Sequence, residues 1–293
     1  MTEGFTGTGV ALVTPFQHDG TVDFVALDRV VNHVINGGVE YIVVLGTTGE
    51  SVTLNKEEKK RVIESIKKSS AGRVRLVLGI GGNNTAEVVE SVEHTNLDGI
   101  SAILSVVPYY NKPTQKGLYE HYATIAKACS IPMLLYNVPS RTVTSIQADT
   151  VLSLAHNFKN IVGIKEASAN FTHITKILKD KPADFQVISG DDVVTLPMVY
   201  MGCDGVISVI ANSHPKQYSD MVRAALKYDY ETANKLQYQL IDLMETLFEE
   251  GSPAGIKAAL EHLQICTDVV RLPLVSASDG LKGKIVKLMQ EIG

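Results

Sequence analysis

The sequence has few cysteines and no long apolar run. Its 293 residues include three cysteines, Cys129, Cys203 and Cys266, and no two of them have the spacing of metal ligands. We therefore expect buried apolar thiols and neither a disulfide framework nor a cysteine metal site. No uninterrupted apolar run approaches the roughly 18 residues of a membrane span. Residues 1–16 lack the basic and apolar regions of a secretory signal, and we expect a cytoplasmic protein.

An excess of positive charge is also missing. The 27 lysines and arginines are outnumbered by 32 aspartates and glutamates, which gives a net charge of −5. Nucleic acids bind to concentrated basic surfaces, so a nucleic-acid partner is not expected. The eight histidines show no HxxxH pattern or other ligand cluster, so no metal site is expected. A small anionic substrate, which needs only one local cation, is compatible with this composition.

Short apolar runs alternate with longer amphipathic segments through most of the chain. Segments such as residues 22–36 and 55–70 have helical periodicity, and strand-then-helix units pair their strands in parallel. Eight units in succession predict a (β/α)8 TIM barrel over residues 1–227, with a doubly wound open sheet as the alternative. The predicted strands are Val10–Thr14, Tyr41–Leu45, Arg75–Gly79, Gly99–Ser105, Met133–Tyr136, Val162–Glu166, Gln186–Ser189 and Gly205–Ser208.

Residues 228–293 carry no strand signal. Helical periodicity over residues 230–250, 252–263 and 279–292 predicts three helices, and Gly251, Pro253 and the RLPL segment at 271–274 separate them. The eighth helix of the barrel is expected to end near Lys227. We therefore predict a C-terminal helical appendix to the barrel.

Lys165 lies inside the sixth predicted strand, among small and apolar residues. The reacting groups of a parallel barrel lie at the C-terminal ends of its strands. An ammonium group is costly to bury there, and two interpretations follow. Lys165 could pair with a carboxylate such as Glu166 or Asp191. Alternatively, it could act as a neutral amine that attacks a carbonyl carbon and forms a Schiff base.

Two further segments place polar groups after strands. The turn of sequence GTTG at residues 46–49 has backbone amides and hydroxyls that could bind a carboxylate, although a plain turn is an equally simple interpretation. Tyr136 and Arg141 share a short loop that Pro139 stiffens. Arginine can bind a carboxylate through two N–H groups, and the alternative is a solvated surface arginine.

Six short motifs, in a fixed order and at consistent spacing, resemble the dihydrodipicolinate synthase family over nearly the whole chain. They are GTTGES (46–51), PYYNKP (108–113), YNVPSRT (136–142), GIKEAS (163–168), SGDD (189–192) and GVISVIAN (205–212). RLPL at 271–274 fits the C-terminal region of the family. The resemblance implies a class I aldolase type of lyase that condenses pyruvate with L-aspartate 4-semialdehyde to 4-hydroxy-tetrahydrodipicolinate, in diaminopimelate and lysine biosynthesis.

The resemblance also implies roles for four catalytic residues. Lys165 would form the imine with the keto group of pyruvate, and Tyr136 would relay protons during imine and enamine formation. Thr47 would link Tyr136 to Tyr110, and in the family this last tyrosine comes from a neighbouring subunit. No cofactor beyond the imine is implied, and the implied assembly is a homotetramer arranged as a dimer of dimers.

Binding roles follow from the same resemblance. Thr48 would hold the carboxylate of pyruvate, Arg141 would receive the carboxylate of the semialdehyde, and Gly190 and Ile207 would line the pocket through backbone groups. The lysine-binding regulatory cleft of the family would map to Ser51, Val52, Leu54, Asn83, Glu87 and Tyr109. Lys56 and Lys59 in the adjoining helix would weaken the binding of a cationic effector, so we expect poor sensitivity to lysine.

Two other activities are compatible with the same pattern. Related pyruvate-dependent lyases, such as N-acetylneuraminate lyase, share the GxxGE turn, the tyrosine and the strand lysine. Arg141 and the paired tyrosines Tyr109 and Tyr110 favour the synthase. A catalytically silent barrel that only binds a keto acid is the third possibility, and the presence of both Lys165 and Tyr136 argues against it.

Overall fold

The computed structural model describes residues 4–292. Its eight strands form a closed barrel in chain order, so the predicted (β/α)8 fold is confirmed and the open sheet is wrong. The strands are β1 (Gly7–Ala11), β2 (Tyr41–Val44), β3 (Arg75–Gly79), β4 (Ala102–Val106), β5 (Met133–Asn137), β6 (Ile161–Glu166), β7 (Gln186–Ser189) and β8 (Gly205–Ser208). The pair β1/β2 and the successive pairs from β3 to β8 are parallel.

Helices follow the strands and continue beyond the last of them. They are α1 (Phe24–Asn36), α2 (Lys56–Ser70), α3 (Thr85–His94), α4 (Gln115–Ala128), α5 (Pro139–Thr142), α6 (Ala148–Asn157), α7 (Phe171–Asp180), α8 (Thr195–Tyr200), α9 (Pro215–Leu226), α10 (Tyr230–Thr246), α11 (Ala254–His262) and α12 (Asp279–Ile292). The end of α9 at Leu226 and the three helices after it confirm the predicted helical C-terminal region. Among the helices of residues 4–292, none is long and apolar enough to cross a membrane.

The described residues divide into two compact units. The first unit contains the described residues up to Thr6 together with Leu76–Ile207. The second unit contains Gly7–Arg75 and the described residues from Ser208 onward. The boundary between residues 1–227 and 228–293 that the sequence suggested stays a prediction.

Strand β1 begins at Gly7, earlier than the predicted start at Val10. Its first residues are not apolar, but they are buried. A Cβ on Gly9 would lie 2.1 Å from the ring of Tyr41, so the absence of a side chain lets β1 approach β2. The N–H of Thr8 donates to Glu40 Oε2 at 2.6 Å. A hydropathy pattern detects strands by their apolar side chains. It therefore does not detect the start of β1, where small residues are buried by the close approach of β2.

Helix α2 shows how local sequence sets an element boundary. Asn55 accepts a hydrogen bond from the N–H of Glu58, and the Glu58 side chain accepts one from the N–H of Asn55, each at 2.9 Å. This reciprocal capping box satisfies two backbone donors at the start of the helix, and its sequence signature is a capping residue followed three positions later by glutamate. Val62 and Ile66 are buried on its inner face.

The three cysteines are all buried and free. Burial raises the pKa of the Cys203 and Cys266 thiols to about 12, so neither is a thiolate near neutral pH. Both facts agree with the expected role as small apolar side chains.

Candidate active site

The centre of the candidate site lies in the first unit, where Lys165 on β6 faces Tyr136 on β5. The two residues are partners in the parallel register of β5 and β6. Lys165 Nζ lies 4.4 Å from the centroid of the Tyr136 ring, and the two residues are 5% and 7% exposed. The structure thus brings together the amine and the phenol that the sequence singled out.

Gly190, which follows β7, makes room for the lysine. A Cβ at this position would lie 2.9 Å from Lys165 Cε and 2.7 Å from the Cβ of Ala167. The N–H of Gly190 donates to the carbonyl oxygen of Glu166 at 2.8 Å, which fixes this close approach. The resemblance implies a backbone contact of Gly190 with substrate, which stays a prediction; the structure shows that Gly190 leaves space for the side chain of Lys165. Ile207, on β8, is 1% exposed.

Lys165 does not form an ion pair with the two carboxylates that the sequence left as alternatives. Successive side chains of a strand point to opposite faces, so Glu166 lies on the other side of β6 from Lys165. Its carboxylate accepts hydrogen bonds from Asn137 and from the N–H of Ser168. Asp191 accepts from the N–H of Val193 at 3.0 Å. Within residues 4–292, no ion pair joins Lys165 to either acid.

Arg141 lies in the one-turn helix α5, and the expectation of a loop at this point is wrong. Pro139 occupies the first helical position, where its fixed φ and missing N–H favour a helix start. The N–H of Arg141 donates to the carbonyl oxygen of Val138 at 3.0 Å, and the turn ends at Val143, whose φ is 56°. The guanidinium is therefore carried on a defined turn after β5, and its side chain is exposed.

Thr47 and Thr48 lie in the second unit, in the turn after β2. The N–H of Gly49 donates to the carbonyl oxygen of Gly46, and the N–H of Glu50 donates to that of Thr47, both at 3.1 Å. Thr47 is exposed, whereas Thr48 is 5% exposed. The turn is therefore hydrogen-bonded within itself, with one hydroxyl directed outward.

A buried ion pair that was not predicted from the sequence lies directly after this turn. Lys257, on α11, is fully buried, and its Nζ donates to Glu50 Oε1 at 2.5 Å and to the carbonyl oxygen of Val269 at 2.8 Å. Burial lowers the pKa of the Lys257 ammonium, and the carboxylate of Glu50 acts in the opposite direction. The same Nζ lies 4.1 Å from the ring centroid of Phe16. A lysine on the apolar side of the 252–263 helical pattern was the signal that could have identified it.

Arg271, from the RLPL segment, completes this cluster in the second unit. Its backbone N–H donates to Glu50 Oε2 at 2.9 Å. Its guanidinium donates to both carboxylate oxygens of Glu58, at 2.6 and 2.9 Å. These hydrogen bonds hold the pKa of Glu58 at about 2. The residues after α11 are thus connected to the start of α2 and to Glu50.

The residues predicted for a regulatory cleft fall into two groups. In the first unit, Asn83 Nδ2 donates to the carbonyl oxygen of Tyr109 at 3.1 Å, and Glu87 accepts from Asn84 at 2.9 Å. In the second unit, Ser51 and Val52 lie in the 3₁₀ turn Ser51–Thr53, with Leu54 directly after it. Val52 is 85% exposed, whereas Leu54 is buried.

Tyr110 stands out among the predicted catalytic residues because it is almost fully exposed. Its side chain is 91% exposed and its φ is 72°, a conformation that residues with side chains rarely adopt. The neighbouring Tyr109 is 37% exposed. Within the described chain, Tyr110 is therefore held away from the core.

Comparisons with known proteins give a consistent result. The model of the Dihydrodipicolinate synthetase family matches residues 4–292. The 4-hydroxy-tetrahydrodipicolinate synthase of Flavobacterium psychrophilum is 51% identical over 97% of this chain and 97% of its own length. The crystal structure of the dihydrodipicolinate synthase from Aquifex aeolicus has a TM-score of 0.94 at 43% identity, with 98% of each chain covered. The enzyme from Acinetobacter baumannii, complexed with pyruvate, has a TM-score of 0.95 at 37% identity, with 99% of each chain covered.

Proposed function

The chain belongs to the dihydrodipicolinate synthetase family, and from this membership we propose how its residues perform the reaction. Its activity is that of a 4-hydroxy-tetrahydrodipicolinate synthase, a lyase of the class I aldolase type in diaminopimelate and lysine biosynthesis. The proposed substrates are pyruvate and L-aspartate 4-semialdehyde. The supporting observation is the buried Lys165 Nζ, which lies 4.4 Å from the centroid of the Tyr136 ring and has no ion pair with Glu166 or Asp191 within residues 4–292.

The proposed chemistry begins at the Nζ of Lys165. The neutral amine attacks the keto carbon of pyruvate, the carbinolamine loses water, and a protonated imine results. The iminium nitrogen withdraws electrons, so the methyl group loses a proton and an enamine forms. The enamine carbon then attacks the aldehyde carbon of the second substrate. The amine of that substrate closes the ring and displaces Lys165, which regenerates the free amine. No metal or organic cofactor is required for these steps.

Tyr136 is the proposed proton relay. Its position opposite Lys165 in the register of β5 and β6 supports this role, because a general acid or base must lie within reach of the reacting atoms. Thr47 and Tyr110 are the further members of the proposed relay. The 91% exposure of Tyr110 supports its use by a neighbouring subunit of a homotetramer.

Substrate binding is proposed to rest on carboxylate recognition. The turn at residues 46–49, with the hydroxyl of Thr48, is the proposed site for the carboxylate of pyruvate. The guanidinium of Arg141 is the proposed site for the carboxylate of the semialdehyde, and Gly190 and Ile207 contribute backbone groups.

The proposed location of the reaction is the cytoplasm. The proposed position of a regulatory lysine site is at Ser51, Val52, Leu54, Asn83, Glu87 and Tyr109, and weak inhibition is expected because Lys56 and Lys59 add positive charge next to a cationic effector.

Replacement of Arg141 by alanine tests the identity of the second substrate. Arg141→Ala is expected to raise KM for the semialdehyde by about 10- to 100-fold, because a hydrogen bond to a charged group is worth about 1.5–3 kcal/mol. KM for pyruvate is expected to change by less than about three-fold. The measurement is initial-rate kinetics with each substrate varied in turn.

Ser140→Ala is the matched control for Arg141→Ala, since Ser140 is exposed in the same helical turn. It is expected to leave both KM values unchanged. An equal rise of the two KM values in Arg141→Ala would show that Arg141 does not bind the semialdehyde selectively.

A further inference from the structure

Glu166 is a fully buried acid on β6, directly after Lys165 in the chain and on the opposite face of the strand. Its carboxylate is held from several sides. Asn137 Nδ2 donates to both oxygens, at 3.1 and 2.9 Å, and the N–H of Ser168 donates to Oε1 at 2.8 Å. His173 Nε2, from α7, lies 3.0 Å from Oε2. A buried carboxylate is costly unless such partners surround it, so these contacts offset the cost of burying Glu166.

Asn137 and Glu166 form a side-chain bond between the strands that carry the catalytic pair. They are partners in the register of β5 and β6, one position after the pair of Tyr136 and Lys165. Because side chains alternate along a strand, the two pairs lie on opposite faces of the sheet. Asn137 is itself fully buried and is oriented by the N–H of Ile146, which donates to Asn137 Oδ1 at 3.2 Å.

The backbone ladder of β5 and β6 contains one irregularity before this point. Met133 pairs with Ile161, but Leu134 pairs with Gly163, so the register of β5 and β6 shifts at Val162. An irregularity of this kind bends a strand and redirects the side chains after it. The Asn137–Glu166 bond comes after the shift and next to the catalytic positions, where it holds the two strand ends together.

We propose that Glu166 is a positioning residue that acts through Asn137 to hold the ring of Tyr136 against Lys165 Nζ. This inference rests on the proposed function, because the pair matters only if Lys165 forms the imine. Loss of the bond allows the strand ends to shift relative to each other, and a displacement of about 1 Å can cost on the order of 100-fold in rate. Pyruvate binding is expected to be less affected, because its carboxylate is assigned to the turn at residues 46–49.

Three variants test this role by exchanging an amide and an acid of the same shape. In Glu166→Gln, an amide NH₂ replaces one of the two oxygens that accept from Asn137, so one of the two cross-strand hydrogen bonds is lost and a donor faces a donor. In Asn137→Asp, two carboxylates face each other in a buried place. The double variant Asn137→Asp/Glu166→Gln restores one donor and one acceptor, and it keeps acceptors for Ile146 and Ser168.

Rates are measured per competent active site, which is counted by trapping pyruvate on the protein with borohydride. Both single variants are expected to lose kcat per trapped site by on the order of 100-fold, with KM for pyruvate changed by less than about three-fold. The double variant is expected to regain at least about ten-fold over either single variant. If a single variant does not fold, the double variant is compared with the unsubstituted protein and is expected to lie within about ten-fold of it.

Asn160→Ala is the control, because Asn160 is a partly buried amide directly before β6 whose side chain bonds to the end of α4 and not to β5. Its Nδ2 donates to the carbonyl oxygens of Ala126 at 2.8 Å and Cys129 at 3.1 Å. This variant is expected to lose stability but to keep kcat per trapped site within about two-fold. The proposal is overturned if Glu166→Gln keeps its rate per trapped site, or if the double variant is no better than the singles. If the unsubstituted protein traps no pyruvate, the proposed function itself fails.

Discussion

Lys165→Arg is expected to abolish the trapping of pyruvate by borohydride and to lower kcat by at least about a thousand-fold. Arginine keeps the positive charge and a comparable length, but its guanidinium stays protonated and cannot attack a carbonyl carbon. The loss would therefore report the missing nucleophile and not a missing charge. The measurements are the mass of the protein after reduction in the presence of pyruvate and the rate of pyruvate consumption with the semialdehyde.

Lys176→Arg is the control for this experiment. Lys176 is an exposed lysine on α7 of the same unit, and its replacement is expected to change neither the adduct nor the rate. Peptide mapping of the reduced protein is expected to place the adduct on Lys165. A full yield of adduct in Lys165→Arg would show that another amine forms the imine.

Lys257→Met is expected to lower the free energy of unfolding by about 3–5 kcal/mol. The substitution leaves Glu50 Oε1 without its partner, and the side chain of Glu50 is only 1% exposed. An unpaired buried carboxylate loses its hydration without compensation, whereas a methionine fills the space of the lysine well. Denaturant unfolding followed by circular dichroism measures the change.

The double variant Glu50→Gln/Lys257→Met separates the charge from the packing. It removes both buried charges and keeps an acceptor for the N–H of Arg271, so it is expected to be more stable than Lys257→Met. Lys284→Met is the exposed control. Its ion pair with Glu249 joins side chains that are 61% and 43% exposed, and its loss is expected to cost about 1 kcal/mol or less. A cost for Lys257→Met as small as that of the exposed control would contradict the role assigned to the buried pair.

The buried pair of Glu50 and Lys257 also supports the turn at residues 46–49 of the candidate site. Glu50 directly follows the turn at residues 46–49 and has a φ of 51°, so its backbone conformation helps to set the end of that turn. Thr14 Oγ1 donates to the carbonyl oxygen of Gly49 at 2.7 Å from the other side. Within the second unit, Lys257 therefore connects α11 to the segment proposed to bind the carboxylate of pyruvate.

The sequence predicted the parts of the fold that depend on local periodicity. Alternating strand and helix patterns were sufficient for the barrel, and Asn55 with Glu58 was sufficient for the start of α2. Lys165 could be found because a lysine within an apolar strand departs from its surroundings. The first residues of β1 could not be found, because Gly9 is buried by close approach and not by its hydropathy.

Long-range polar pairs are the main features that the sequence did not reveal. Glu50 and Lys257 are 207 residues apart, and Asn137 and Glu166 are 29 apart, so no local pattern relates the members of either pair. Asn137, Glu166 and Lys257 each lie next to apolar residues, which indicates that a partner exists but not which residue it is, whereas Glu50 lies in a polar turn and gives no such signal. Only the register of the strands and the packing of α11 identify the partners.

The proposed activity is tested most directly by following pyruvate in two parallel assays. One assay contains pyruvate and L-aspartate 4-semialdehyde, and the other contains N-acetylneuraminate alone. Protein-dependent loss of pyruvate in the first assay, with none released in the second, is the expected result. Release of pyruvate from N-acetylneuraminate, with no consumption in the first assay, would contradict the synthase activity and leave Arg141 without its assigned carboxylate.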